Sequence, residues 1–450
     1  MPPESTPSIA PASTAPSAAT EVQIWAGDVA GQMIEFQFTV DDTGTLTGLV
    51  NSPSEEAPDL PINGFMDGGA VTIKIPAVEA VFEGEIDGTA MSGTWYQSGA
   101  EVPAVFELRD EPLTLARPQE PTPPFLYEAT DVRFENGDIS LAGTLVVPEG
   151  EGPFPVVVFT SGSGSQDRDE TIVGHKPFLV LSDAFALAGI ASLRFDDRGI
   201  GGSTGDPVGA TTAELATDTA AAVEFLAADG RFDSIGIVGH SEGGIIGPMV
   251  ANDSDAVDSV VLLAGPGLPG LDVLLRQTED LMRVEGAPEA DIAWQISWRR
   301  EIMEVSASSV PDDEAAEAIR AIVTAALENP PAGVTQALDP SITEQFVTAF
   351  TDPWMRHFLA YDPAPALEDL DIPALALIGS LDVQVSAEEN IPALESALDA
   401  NGGATVSELE GLNHLFQNAE TGAVSEYARI EETFSPEAID LITAWILERS

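Results

Sequence analysis

The chain contains no cysteine, which removes disulfides, thiolate zinc sites and a cysteine nucleophile from consideration. Lysine is almost missing, with only Lys74 and Lys176 present. Seventeen basic residues face 75 acidic ones, so the formal charge is −58 and the pI is near 4.1. Such a surface repels phosphates, so nucleic acid is excluded as a partner and anionic membranes are disfavoured. No apolar run reaches the ~20 residues of a membrane-spanning helix. Two origins fit the acidity: solubility in high salt, where salt screens carboxylate repulsion, or an acidic exported protein. Residues 1–20 are rich in Pro, Ser, Ala and Thr and lack the positive start and apolar core of a signal peptide. They read as a disordered spacer after a removed signal or lipid anchor, which implies a periplasmic, extracellular or lipid-anchored protein. The alternative is a disordered tail on a cytoplasmic protein.

The remainder is ordinary for a globular chain, and 450 residues suffice for two domains. Residues 21–115 carry short apolar or alternating runs, such as 34–40, 71–75, 80–86 and 104–108, separated by turn signals such as Asp67-Gly68-Gly69. This predicts a small all-β barrel or sandwich, in which Trp25, Trp95 and Tyr96 are either core or the wall of a ligand groove. A stiff Pro-rich linker spans 116–126. From 127 to 450 strands alternate with helices, which predicts an α/β fold with a mostly parallel sheet covered by helices on both faces. The alternation stops near Pro266 and resumes near Ile372. The helical stretches between them predict a cap inserted at 267–360, over the carboxyl ends of the strands where substrates bind.

Gly239-His240-Ser241-Glu242-Gly243 reads Gly-x-Ser-x-Gly between a short apolar strand (Ile235–Val238) and a helix beginning near Gly244. A second match at Gly201-Gly202-Ser203-Thr204-Gly205 has no strand running into it and reads as a connecting loop. A serine hydroxyl needs an adjacent base, and the base needs a group that fixes its tautomer. Of the four histidines, His240 adjoins the serine and should point away from it. His175 lies upstream and His357 ends the insertion. His414, in a loop after the strand 404–409, is placed as the base. Asp382 follows the buried strand Ala374–Gly379 and is placed as the orienting acid, whereas Asp362 and Asp371 lie at that strand's other end. The order Ser241, Asp382, His414 differs from chymotrypsin-like and subtilisin-like orders. An oxyanion needs backbone N–H donors. Glu242, at a helix N-terminus, supplies one. The glycine-rich loop 160–170 supplies the other, through Ser163 first and Gly164 next. Asp167, Arg168, Asp169 and Glu170 are expected to form a local ion-pair network that holds this loop.

These motifs resemble the α/β-hydrolase esterases of the serine-aminopeptidase-like group, in which a small β domain precedes a capped hydrolase. The resemblance is carried by residues 161–170, 193–205, 239–244, 382–385, 413–417 and 432–436, and it covers the chain from about Glu21 onward. It implies hydrolysis of carboxylic esters, usually short-chain acyl esters, by Ser241, His414 and Asp382, with no metal and no cofactor. Ser165 departs from it where such loops often carry proline, and the acidity is not a family trait. An aminopeptidase or thioesterase of the same fold is the alternative chemistry. A surface-binding protein with a vestigial hydrolase is the alternative class. The oligomeric state stays open, a homodimer included, and the expected partner is a small ester.

Overall fold

A computed structural model describes residues 22–29, 32–52, 59–97, 100–113, 116–336, 338 and 340–449; the expected spacer at 1–20 lies outside them. The chain divides into two compact units, Met1–Thr114 and Leu115–Ser450.

The first unit is a closed antiparallel barrel rather than a sandwich. Its strands are β1 (Gln23–Val29), β2 (Gln32–Val40), β3 (Thr45–Asn51), β4 (Leu60–Asp67), β5 (Ala70–Ile75), β6 (Ala80–Asp87), β7 (Ala90–Gln97) and β8 (Ala100–Arg109). Each pairs with the next, and β1 pairs back to β8, so no strand edge is left open. Alternation along β2 sends Ile34, Phe36 and Phe38 inward, where they meet Phe82 and Phe106. The Phe36 and Phe106 rings lie 4.9 Å apart between centroids. Trp25 and Trp95 belong to this core, and each indole N–H donates to a glutamine Oε1 (Gln23 and Gln97) at 3.1 Å.

The second unit is built on the sheet β9 (Tyr127–Asn136), β10 (Ile139–Pro148), β11 (Phe154–Thr160), β12 (Ala191–Phe195), β13 (Phe232–His240), β14 (Ser259–Leu263), β15 (Ala374–Gly379) and β16 (Thr405–Leu409). The spatial order is β16-β15-β14-β13-β11-β12-β10-β9, and β10 alone runs against its neighbours. The strands β11, β14 and β15 are apolar on both faces, as a sheet covered on both sides requires. Val156 and Val158 face one layer of helices, α2 (Thr212–Ala227), α3 (Gly243–Asp253) and α10 (Ala387–Ala397). Val157 and Phe159 face the other, α1 (Pro177–Ala188) and α11 (Pro436–Leu447). Each fully buried Val, Leu or Phe in these layers contributes roughly 1.5–3 kcal/mol.

Between β14 and β15 lie α4 (Gly270–Val284), α5 (Glu289–Ala307), α6 (Asp312–Glu328), α7 (Ile342–Phe350), α8 (Pro353–Ala360) and α9 (Ala364–Glu368). This insertion has a hydrophobic core of its own. Trp294, Trp298 and Ile302, spaced by four on α5, meet Ala315, Ile319 and Val323, spaced by four on α6. No helix among the described residues is long and apolar enough to cross a membrane.

Candidate active site

The elbow forms where β13 ends at His240 and α3 begins at Gly243. Ser241 sits there at φ 52°, in the left-handed region, which costs a non-glycine residue roughly 1–2 kcal/mol. Its N–H donates to the Leu263 carbonyl on β14 at 2.8 Å, which holds the turn against the sheet. The flanking glycines are sterically required. A Cβ at Gly239 would stand 2.1 Å from the Gly243 carbonyl oxygen, and one at Gly243 would stand 2.2 Å from that of Thr160.

Asp382 follows β15 and His414 follows β16, neighbouring parallel strands, so their side chains meet at the same sheet edge. His414 Nδ1 lies 2.8 Å from Asp382 Oδ2, with both side chains buried. A carboxylate only accepts, so in the neutral ring the proton is on Nδ1 and the lone pair on Nε2. Ser241 and His414 line one cavity of about 410 Å³, together with Ser163 and with Val273 of α4 and Trp354 and Phe358 of α8. Asp382 lies behind it. The inserted helices therefore supply part of the wall of the cavity that holds the serine.

The loop after β11 passes close to the elbow: a Cβ on Gly162 would come 3.1 Å from that of Ser241. The backbone N–H groups of Ser163 and Glu242 make no hydrogen bond among the described residues. Gly164, at φ 95°, faces a neighbouring cavity of about 200 Å³ whose wall includes Asp197, Pro207 and Leu215. Trp354 is common to both cavities. The Glu242 side chain is buried and accepts from Thr212 Oγ1 at 2.6 Å and Trp354 Nε1 at 2.9 Å. Burial raises its pKa above the ordinary glutamate value, against these hydrogen bonds. Burial likewise pushes Asp197 up to about 7, although it accepts from Ser161 Oγ and the Gln166 N–H.

His240 stands beside His414 and lines the same cavity. Its ring centroid is 4.8 Å from that of His414. The acidic loop does not form the expected local network, because three of its four charged residues pair with other elements. Arg168 binds Asp196 at 2.7 Å, Asp169 pairs with Arg194, and Glu170 meets His240 at 2.9 Å. Asp167 caps its own loop through the N–H groups of Asp169 and Thr171. Competition between four neighbouring charges is settled by which opposite charges the sheet brings to them. Ser203 is structural, accepting from the Ala142 N–H and donating to the Asp196 carbonyl. His175 is fully buried between Thr433 and the Tyr427 carbonyl. His357 lies on α8, stacked on Tyr361, and does not line the cavity. Trp354, Glu170 and Phe358 were not legible as site residues, since only tertiary packing brings them to the serine. Among the described residues no group of three or more His, Cys, Asp or Glu is placed to hold a metal.

Residues 157–426 match the model of the alpha/beta hydrolase family. The chain is 26% identical over 319 residues, 70% of its own length and 68% of the relative's, to the esterase EstD of Thermotoga maritima. It is similar to a solved esterase of Pyrococcus furiosus, at 15% identity and a TM-score of 0.45 over 75% of this chain and 99% of that one. It is also similar to Est1E of Butyrivibrio proteoclasticus, solved with ferulic acid bound, at 15% identity and a TM-score of 0.41 over 71% of this chain and 98% of that one.

Proposed function

The chain belongs to the alpha/beta hydrolase family, and on that premise we propose that it is a serine carboxylesterase acting on short-chain acyl esters. The observation that carries the reading is the bonded pair His414 and Asp382, opening into one cavity with a left-handed Ser241. The relative named an esterase supports the ester as substrate class.

In this mechanism Ser241 Oγ attacks the ester carbonyl carbon and His414 Nε2 takes its proton. Asp382 fixes the imidazole and stabilises the imidazolium. The N–H groups of Ser163 and Glu242 receive the tetrahedral oxyanion, with Gly164 the next candidate. Collapse expels the alcohol, which leaves with the proton held by His414. A water deprotonated by His414 then attacks the acyl-Ser241 ester and releases the acid. The helices between 267 and 360 act as a cap whose face, through Val273, Trp354 and Phe358, limits the acyl or alcohol group. The composition of residues 1–20 supports export, and the excess of acidic residues supports adaptation to high salt.

The test is hydrolysis of p-nitrophenyl acetate by Ser241→Ala. Loss of at least about 10³-fold in kcat is expected, and retention of most activity sinks the assignment. Assay on aminoacyl p-nitroanilides separates the aminopeptidase reading, which requires amide turnover comparable to ester turnover.

A further inference from the structure

The geometry points to a positioning pair, Glu170 and His240, that holds the oxyanion loop and the base loop in register across the elbow. Turnover then depends on Glu170 through the Gly162 amide and the His240 ring that it binds. The inference rests on the roles proposed above for Ser241, His414 and the loop 160–170.

Three loops converge on one imidazole. Glu170 Oε1 accepts from the Gly162 N–H at 2.7 Å, which anchors the peptide immediately before the Ser163 amide. The same oxygen lies 2.9 Å from His240 Nδ1. His240 Nε2 lies 2.9 Å from the backbone carbonyl oxygen of His414 itself. His240 is covalently joined to Ser241, so nucleophile, oxyanion donor and base are all referenced to its ring. A carboxylate and a carbonyl are both acceptors, so opposite an ionised Glu170 both ring nitrogens donate and the ring is an imidazolium. Burial opposes this charge, but the Glu170 carboxylate and both hydrogen bonds hold the histidine pKa above its ordinary value.

Two features indicate that the pair is not there for stability. Among the described residues Glu170 Oε2 is buried without a hydrogen-bond partner, a cost that an apolar pair of similar volume would not carry. Glu170 also sits at φ 51°, a strained conformation for a non-glycine residue. Strain and a buried charge pair at this place fit a role in fixing donor and base positions, because a displacement near 1 Å is expensive in rate.

The experiment compares Glu170→Ala and Glu170→Gln with the wild type. Initial rates on p-nitrophenyl acetate are normalised to active enzyme by fluorophosphonate titration of the serine. Glu170→Ala is expected to lose about 100-fold in kcat with KM essentially unchanged. Glu170→Gln keeps an oxygen that accepts from both Gly162 and His240, and is expected to return to within about tenfold of wild type. The proposal is overturned if the alanine variant keeps its kcat, if its loss lies in KM or in folded fraction alone, or if glutamine fails to rescue. If Glu170→Ala does not fold, His240→Asn is measured instead, and an unchanged kcat overturns the pair. A Ser241→Ala enzyme that remains active defeats the underlying esterase reading, whereas an inactive one beside a fully active Glu170→Ala defeats only the pair.

Discussion

Asp382 and His414 are locked to each other with no spare freedom: Oδ2 of the aspartate meets Nδ1 of the histidine at 2.8 Å. Oδ1 accepts the N–H groups of Gln384 and Val385, each at 2.8 Å. The backbone therefore dictates which oxygen faces the ring. In Asp382→Asn the amide oxygen keeps the two backbone donors, and the amide NH₂ turns to the imidazole. That favours the tautomer with the proton on Nε2, which cannot act as a base. The expected loss is about 10⁴-fold in kcat, with little change in KM, in steady-state ester hydrolysis.

Trp354 is a shared wall between the cavity at the serine and the neighbouring one of about 200 Å³. Its indole N–H to Glu242, at 2.9 Å, fixes the ring in that position. Trp354→Ala joins the two spaces. A p-nitrophenyl ester series from acetate to octanoate should show kcat/KM for octanoate rising about tenfold relative to acetate. An unchanged chain-length profile refutes the wall.

Legibility from sequence followed hydrophobic contrast. The strand Ala374–Gly379 is fully buried and its ends matched the pattern to the residue, so the position of Asp382 followed. By contrast Tyr127–Asn136 pairs along its whole length with β10, yet it is an exposed edge strand with one buried side chain, Phe134, and no apolar run marks it. The barrel strands β3, β4 and β7 carry internal Gly48, Gly64 and Gly93, which break the run of β-forming side chains. The contact of Glu170 with His240 spans 70 residues, and nothing local distinguishes that glutamate from its acidic neighbours. The triad candidates were legible because they sit at strand ends in a fixed order. The residues that wall the cavity or hold its loops were not, since their partners are set by packing alone.

Arg117 is the anchor of the linker to the hydrolase unit. Its guanidinium donates to the carbonyls of Val173, Gly174, Ala428 and Ile430, at 3.0–3.2 Å. Val173 and Tyr427, next to these carbonyls, line the serine cavity. Arg117→Ala leaves several half-buried acceptors without a donor and should cost about 2 kcal/mol in urea unfolding. Lysine, with one point charge instead of a planar fork, should recover only part of it. A midpoint unchanged in the alanine variant would falsify the anchor.

The 75 acidic residues have only 17 basic ones to pair with, so most carboxylates repel one another. At low ionic strength the Debye length reaches about 30 Å and this repulsion acts across much of the fold; at 1 M it falls to about 3 Å. Activity and urea midpoint should both rise steeply between these limits. Indifference of both to salt ends the salt-adapted reading.

His175 provides a pH dependence whose sign is fixed by its surroundings. The ring is fully buried: Nε2 lies 2.8 Å from the Tyr427 carbonyl oxygen and 2.9 Å from Gln417 Nε2, and Nδ1 meets the Thr433 hydroxyl at 2.9 Å. Burial, helped by the nearby Arg117 charge against the Tyr427 hydrogen bond, pushes its pKa down to about 4. The unfolded chain titrates near 6.5, so between about 4 and 6.5 the unfolded state binds the extra proton. The contribution to stability is therefore complete above pH 6.5 and is lost on acidification through about 4, at up to about 1.4 kcal/mol per pH unit. His175→Gln retains a donor for the Tyr427 carbonyl and has no titration in this window. Urea midpoints measured from pH 7.5 down to 4.5 should fall more steeply for the wild type than for this variant, and parallel curves would show that the buried ring is not the source.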